Sequence, residues 1–485
     1  MRKWMLVLFC TFVVIGFGCS QKESGQAKQK PVSKENQGKT LQNQVDLSGD
    51  KDIRYGPSNP KYVMNVRYDD KNHQVSGEMS VQFTNNLERK LNKVYFNLWP
   101  NAPYYKEGGI QVSDVKWNNK KVPFQVKKTK LEISGLSFEK GEQATIKMKI
   151  KVTVPNTEDR FGWNGTTVSL GNWFPILAVY DNEGWNLDPY YQDGESFYSL
   201  TGDFDVTLTT DKKEVVATTG QQMGKVKEKD GKAVYHFKAD HVRDFAMEMN
   251  PNYHVKTKMV DGIKLNVYYS DDEKFYAEDM MDSGIQAVKA FNQKFGRYPW
   301  KTLDIVGMKG WFGGMEYPQL VMISFSSNHI SRGFINMVVS HEIAHQWFYG
   351  VVGDNEYDES WLDESFASFA AATISGNLDW MDRIKAPEES YYHLNSPVSV
   401  FVKHGKEGRK AYGMMIYNYG EKTLNDLRMK LGDKVFYKAI HQYYETEKFK
   451  VATTSDFIRI MEKSSGKDLT KFFKNHRIVL KESGK

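Results

Sequence analysis

His341 and His345 bracket Glu342 in a His-Glu-x-x-His run, and Glu364 follows His345 after 18 intervening residues. On a helix the two histidines lie one turn apart and project from the same face, so their imidazole nitrogens can bind one Zn²⁺. Glu342 lies about 100° around the helix from His341. That puts a carboxylate beside the metal rather than on it, where a general base for an activated water belongs. Phe334, Ile335, Val338 and Val339 precede the run, and Trp347 and Phe348 follow it. The helix is therefore expected to be buried, and two bare histidines and a glutamate are costly there unless something pairs them.

The third ligand needs its own element. Trp361 to Ala372 (WLDESFASFAAA) has apolar residues at helical spacing, and Gly350 to Ser360, with Gly353-Asp354-Asn355, reads as a loop. Helix, loop and helix return Glu364 to the histidines. Two His and one Glu leave a fourth tetrahedral position open, as catalytic rather than structural zinc requires. Asp363 and Glu359 are competing carboxylates, expected to be solvated cap and loop charges.

His341 to Trp347 (HEIAHQW) and Trp361 to Ala367 (WLDESFA) resemble the metal-binding signature of the aminopeptidase N family, gluzincin metallopeptidases with a thermolysin-like catalytic domain. Gly313-Gly314-Met315-Glu316-Tyr317 resembles that family's Gly-x-Met-Glu-Asn exopeptidase motif, with Tyr317 where Asn is usual. The resemblance implies one Zn²⁺ held by His341, His345 and Glu364, with Glu342 as base. It also implies that Glu316 binds the substrate's free α-amine and that the Gly313, Gly314 and Met315 backbone contacts the peptide. Such an anchor has a physical rationale. A carboxylate holding an ammonium at a fixed distance from the metal lets only the first peptide bond reach it. The family's oxyanion-stabilising tyrosine sits in a Tyr-x-x-Gly segment opening a helix. Tyr417 in Ile416-Tyr417-Asn418-Tyr419-Gly420 fits best, with Tyr412 and Tyr419 as competitors.

The remaining sequence must supply the frame. The chain has 485 residues, 40% hydrophobic and 14% aromatic, enough for large cores in two or three domains. Its net charge of +6 falls to +4 without Arg2 and Lys3, and no basic tract of the kind nucleic-acid binders use is present. Met1-Arg2-Lys3, an apolar run to Phe17 and then Gly18-Cys19 look like a bacterial lipoprotein signal peptide, residues 1–18, cut before a lipidated Cys19. The other cysteine, Cys10, leaves with it, so the mature chain has no disulfide. Residues 19–52 are polar and nearly free of aromatic and branched apolar residues, and read as a disordered tether to the outer face of the membrane.

Residues 53–252 alternate with period two, as in Val75, Gly77, Met79, Val81 and Phe83, in Ile146 to Val154, and in Phe204, Val206 and Leu208. They predict antiparallel strands with turns at Asn118-Asn119 and Asp230-Gly231. The resemblance implies a saddle-like N-terminal β-domain forming one wall of the cleft. Asn172 to Pro175 and Asp188 to Glu195 fall where the family reaches the substrate N-terminus, and Glu195 or Gln192 is a candidate second amine anchor. Residues 253–485 predict strands at Lys264–Tyr269 and Leu303–Val306, a helix around Phe275–Phe295, the zinc helices, and helices to the end with faces such as Phe436, Ala439, Ile440, Tyr443 and Tyr444.

The expected fold is multidomain α+β, an antiparallel β saddle followed by a mainly helical, thermolysin-like zinc peptidase domain. The expected activity is a zinc aminopeptidase acting on peptides with a free N-terminus at a bacterial membrane. The alternatives are a zinc endopeptidase or other metallohydrolase of the same fold, and a non-catalytic binding lipoprotein.

Overall fold

The computed structural model describes residues 55–192, 194–325, 330–376 and 378–480. The leader, the tether and Cys19 lie outside them. From Ser58 to Asn250 the regular structure is strand, save one 3₁₀ turn at Trp99–Asn101. The largest sheet runs Gln221–Gln222, Lys232–Val242, Gly202–Asp211, Ser58–Asp69, Gln74–Thr84, Gln143–Thr153, Gly109–Trp117 and Lys120–Lys121, with Lys227–Lys229 also paired to Lys232–Val242. The alternation read from the sequence is the burial pattern. Ile146, Met148, Ile150 and Val152 are buried while Lys147, Lys149 and Lys151 between them are exposed. Gly77 breaks the apolar series for a steric reason, since a Cβ there would lie 2.1 Å from the Asn65 carbonyl oxygen on the neighbouring strand. The turn residues Asn118, Asn119, Asp230 and Gly231 all have positive φ, the backbone that short hairpins need.

One neighbour pair in this sheet is parallel, contrary to the all-antiparallel expectation: Ser58–Asp69 with Gly202–Asp211. More than a hundred residues separate the two strands, and a connection of that length does not force an antiparallel return.

The second part of the chain begins at His254. Five strands, His254–Val260, Ile263–Tyr269, Thr302–Lys309, Leu320–Phe325 and Gly314–Met315, form a sheet in that order, parallel across its three central members. Leu320–Phe325 is buried at every residue, as a strand apolar at all positions but Ser324 requires. Helices follow: α1 (Ala277–Lys294), α2 (Arg332–Ala344), a single turn α3 (Glu356–Glu359), α4 (Trp361–Ser375), α5 (Val398–Val402), α6 (Gly405–Tyr412), α7 (Gly420–Leu431), α8 (Asp433–Glu447), α9 (Thr454–Ser465) and α10 (Thr470–Asn475). The segment read as a loop between the zinc ligands thus contains one helical turn, α3, whose N-cap is the Asn355 side chain accepting from Tyr357 N–H.

Arg243 ties the two parts together. Its guanidinium is buried and donates to the carbonyl oxygens of Tyr349 (2.7 Å), Ser199 (2.8 Å) and Lys450. Gly353 lies against it, and a Cβ there would sit 1.9 Å from the guanidinium carbon. Replacing Arg243 by Met strands the carbonyls of the buried Tyr349 and Ser199 and leaves Lys450 O with the Gly353 N–H alone. We expect it to lower unfolding free energy by about 3 kcal/mol, read as a drop of several degrees in thermal midpoint by calorimetry. Gly353→Ala should shift it in the same direction.

Candidate active site

Helix α2 carries His341, Glu342 and, at its C-cap, His345. It starts on a Ser331 cap whose side chain accepts from Phe334 N–H, and it buries Ile335, Val338, Val339 and Ile343. Helix α4 crosses it with Glu364 in its first turn. His341 Nε2 lies 3.1 Å from Glu364 Oε2 and 3.1 Å from His345 Nε2, and His345 Nε2 lies 3.4 Å from Glu364 Oε2. Three donors on a tetrahedral zinc with bonds of about 2.0–2.1 Å stand about 3.3 Å apart. The set therefore fits one such ion. The far ring nitrogens face a backbone carbonyl and a hydroxyl, His345 Nδ1 against Phe348 O (3.3 Å) and His341 Nδ1 against Ser368 Oγ (3.5 Å). Partners of this kind fix ring orientation and leave Nε2 for the metal. Burial works against the Glu364 anion, but hydrogen bonds from His341 and His345 outweigh it and hold the carboxyl below its usual range.

Glu342 is buried beside this trio. Burial, and then the charges of Glu364 and Glu195, push its carboxyl well above the usual range. Gly314 explains how a strand can pass so close, because a Cβ there would lie 2.1 Å from Glu342 Oε1. Gly314–Met315 is the edge strand of the five-stranded sheet. Gly313, at φ +83°, enters it with its N–H on Ser324 Oγ (2.9 Å). Gln346, on the turn after α2, pins this segment to the zinc helix. Its side chain donates to the carbonyls of Glu316 (3.2 Å) and Tyr317 (3.1 Å) and accepts from Gln319 N–H (2.7 Å).

Glu316 turns into the same space. Glu316, Glu342 and His345 offer ligand atoms within 4.8 Å of one another, as do Glu195, Glu316 and Glu356. Burial, followed by the charge of Glu195, raises the Glu316 carboxyl. Of the two candidates from the β-domain, Gln192 is exposed, whereas Glu195 points inward and accepts from Arg160 Nη1 at 2.5 Å. Trp173 and Phe174, in the other β-domain segment, are core residues.

Tyr417 donates its hydroxyl to Glu364 Oε1, and its ring stacks on His341 with centroids 5.9 Å apart. Tyr412 packs edge-on against Phe401, and Tyr419 lies beside His476. The segment holding Tyr417 does not open a helix, as the sequence suggested. Gly413–Tyr419 is a π-helical stretch joining α6 to α7. Such stretches re-aim side chains by one residue and recur at functional sites. It is held to α4 by Ser365 Oγ donating to Ile416 O (2.5 Å), and Gly420 permits the approach, since a Cβ there would lie 1.8 Å from Ser365 Oγ.

Two expectations fail locally. Asp363 is not a solvated charge: it is 1% exposed, and burial raises its carboxyl. Glu359 is only half-buried by area, but accepts from Thr454 N–H and is pushed up to about 7 by desolvation. The sequence reading missed Arg160, Glu356 and Gln346. Only Gln346 left a local signal, being an amide directly after the second histidine.

Residues 280–476 match the model of the peptidase family M1 domain. The chain is 28% identical over 250 residues to Aminopeptidase 2 of Candida albicans, covering 47% of this chain and 26% of that one. It is 30% identical over 179 residues to Probable aminopeptidase 2 of Sulfurisphaera tokodaii, covering 35% and 23%. It thus spans about a quarter of the length of these curated relatives. An M1 zinc metallopeptidase from Deinococcus radiodurans shares the fold at TM-score 0.63 and 18% identity, covering 87% of this chain and 94% of that one. A two-domain M1 zinc metallopeptidase solved with L-arginine shares the fold at TM-score 0.60 and 16% identity, covering 88% of this chain and 94% of that one.

Two outcomes are expected. Zinc added to metal-stripped protein should raise its thermal midpoint, by an amount corresponding to about 4 kcal/mol when free zinc is roughly 1,000 times its Kd, and Glu364→Gln should abolish most of that rise. Gly314→Ala should displace the Glu342 carboxylate, lowering kcat about 100-fold while zinc still raises the midpoint normally.

Proposed function

We propose that this chain, whose residues 280–476 match the peptidase family M1 domain, is a zinc-dependent aminopeptidase releasing the N-terminal residue of peptides. One observation carries the reading: the buried carboxylate of Glu316 sits in the same cleft as Glu342 and His345, with Oε1 lacking any hydrogen-bond partner. An endopeptidase needs no anion there, because the chain continues past that point. An aminopeptidase needs one to hold the terminal ammonium.

His341, His345 and Glu364 would hold a zinc ion, and the ion when bound would supply the Lewis acidity that polarises the scissile carbonyl and lets an attacking water lose a proton near neutrality. Glu342 accepts that proton and delivers it to the departing amine nitrogen. Tyr417 holds its hydroxyl on Glu364 in the free enzyme and turns it to the developing oxyanion. The unpaired outer edge of Gly314–Met315 receives the substrate backbone as an added strand. Glu316 binds the α-ammonium, with Glu195 beside it braced by Arg160.

We place the enzyme at the outer face of a bacterial membrane, held by lipid at Cys19. The support is the Met1–Cys19 sequence and the polar run after it.

The test is hydrolysis of aminoacyl-4-methylcoumarin amides, each beside its N-acetyl form, by zinc-loaded wild type and Glu342→Gln. Free-amine substrates alone should be cleaved, and the variant should lose at least about 1,000-fold in kcat. Cleavage of blocked substrates would move the assignment to an endopeptidase. No cleavage by zinc-loaded protein would leave a binding role.

A further inference from the structure

Three glutamates from three separate segments meet where the β-domain touches the catalytic domain. Glu195 comes from the β-domain, Glu316 from the turn after the edge strand, and Glu356 from the first residue of α3. One carboxylate oxygen of each lies within 4.8 Å of the other two. Two of the three are anchored through one oxygen. Glu195 Oε1 accepts from Arg160 Nη1 at 2.5 Å, and Glu356 Oε2 accepts from the Phe197 N–H at 3.3 Å. Each of the three keeps one buried oxygen with no hydrogen-bond partner: Glu195 Oε2, Glu316 Oε1 and Glu356 Oε1. Glu316 and Glu356 are 3% and 1% exposed, so water does not compensate them. Leaving such acceptors bare is costly, and the carboxyl–carboxyl contact between Glu316 and Glu195 relieves it only by keeping a proton on that pair; among the described residues Arg160 is the one cation paired with the trio.

The missing partner has to be cationic, has to carry three donors, and has to fit between oxygens less than 4.8 Å apart. A primary ammonium meets all three requirements. It has three N–H groups, and a nitrogen donating at about 2.8–2.9 Å in tetrahedral directions spans oxygens about 4.6–4.7 Å apart. A tetrahedral zinc ion with bonds of about 2.0–2.1 Å would draw them to about 3.3 Å, and an octahedral magnesium ion to about 2.9 Å. We propose that Glu356 is a substrate-binding residue, the third arm of a cage in which the substrate α-ammonium donates one hydrogen bond each to Glu195, Glu316 and Glu356. This deepens the aminopeptidase reading and rests on it. Glu356 is held for the task from both sides: Asn355 caps the turn that presents it, and the Phe197 N–H fixes its rotamer from the opposite domain. The substrate terminus then completes the domain junction.

The test compares two zinc-directed inhibitors that differ only in the amine, L-leucine hydroxamate and 4-methylpentanohydroxamate, on zinc-loaded wild type and Glu356→Gln. Glutamine keeps an oxygen for Phe197 but loses the charge. The ratio of the two Ki values should fall by about tenfold or more in the variant, with the amine-free inhibitor binding as before and KM for a free-amine substrate rising more than kcat falls. Glu356→Asp, which withdraws the carboxylate by one methylene, should also lower the ratio, and stands in if the glutamine variant does not fold. If both Ki values move together, Glu356 is only a structural brace, and if the ratio is unchanged it does not touch the amine. Either result overturns the proposal. Zinc content should be one ion per chain in both proteins; a second ion lost in Glu356→Gln would reassign the trio as a metal site. A wild-type ratio of one would instead remove the aminopeptidase reading itself.

Discussion

The structure is organised around a concentration of negative charge that neither part of the chain could bury by itself. Glu195, Glu316, Glu342, Asp354, Glu356, Asp363 and Glu364 lie at the junction, six of them buried and Glu195 with a side chain only 11% exposed. Ionised carboxylates taken out of water are costly unless paired, and burial raises the carboxyls of Glu316, Glu342, Asp354, Glu356 and Asp363. Two arginines compensate part of it, one within the β-domain and one across the junction. Arg160 and Arg243 both belong to the β-domain, one bonded to Glu195 and the other lying against Gly353 beside Asp354. The helical side supplies the histidines and every acid of the cluster but Glu195, so docking the two domains is part of building the site. A metal at the His341, His345 and Glu364 set and an ammonium at the glutamate trio neutralise what the arginines leave.

Close backbone approach is the second requirement, and two glycines carry it. Gly314 lets the edge strand reach the Glu342 carboxylate, and Gly420 lets the start of α7 press on Ser365, one residue after the ligand Glu364. Between them, Gln346 links the edge strand to α2 through two carbonyls and one N–H. The π-helical stretch sets the rotation of Tyr417. Base, ligands, edge strand and tyrosine are thereby referred to the same two helices, α2 and α4. An error in any one position is not absorbed elsewhere, which is what a reaction needing near-contact geometry demands.

What could be read from the residues alone follows the range of the interactions. His341, Glu342 and His345 were legible because one helical turn fixes their relation, and Glu364 because an alternating helix–loop–helix pattern surrounds it. The period-two strands were legible for the same local reason. Arg160 and Glu356 were not, because their meaning lies in contacts with Glu195, 35 residues away, and Phe197, 159 residues away. Asp363 read as a solvated cap because its position in a first helical turn favours a charge, but the packing of the acidic cluster around it decides its burial. The π-helical stretch was hidden too. Its residues have ordinary helical composition, and the extra residue in the turn is set by the Ser365–Ile416 contact with α4.

Tyr317 shows how a departure from a motif can leave the cleft-facing groups in place. Its side chain leaves the cleft and crosses to the β-domain, where its hydroxyl donates to Asn172 Oδ1 at 2.7 Å. Asn172 in turn donates to Asp244, which also accepts from Phe245 N–H at 2.6 Å. Gly171 makes the path possible, because a Cβ there would fall 1.9 Å from the Tyr317 hydroxyl oxygen. The larger side chain therefore needs a glycine, an amide and a carboxyl across the junction to receive it, and all three are present. Meanwhile the backbone of the motif keeps its place, since Gln346 holds the carbonyls of both Glu316 and Tyr317. At this position the side chain has become part of the domain interface, while the features facing the cleft, the Glu316 carboxylate and the edge-strand backbone, do not depend on it.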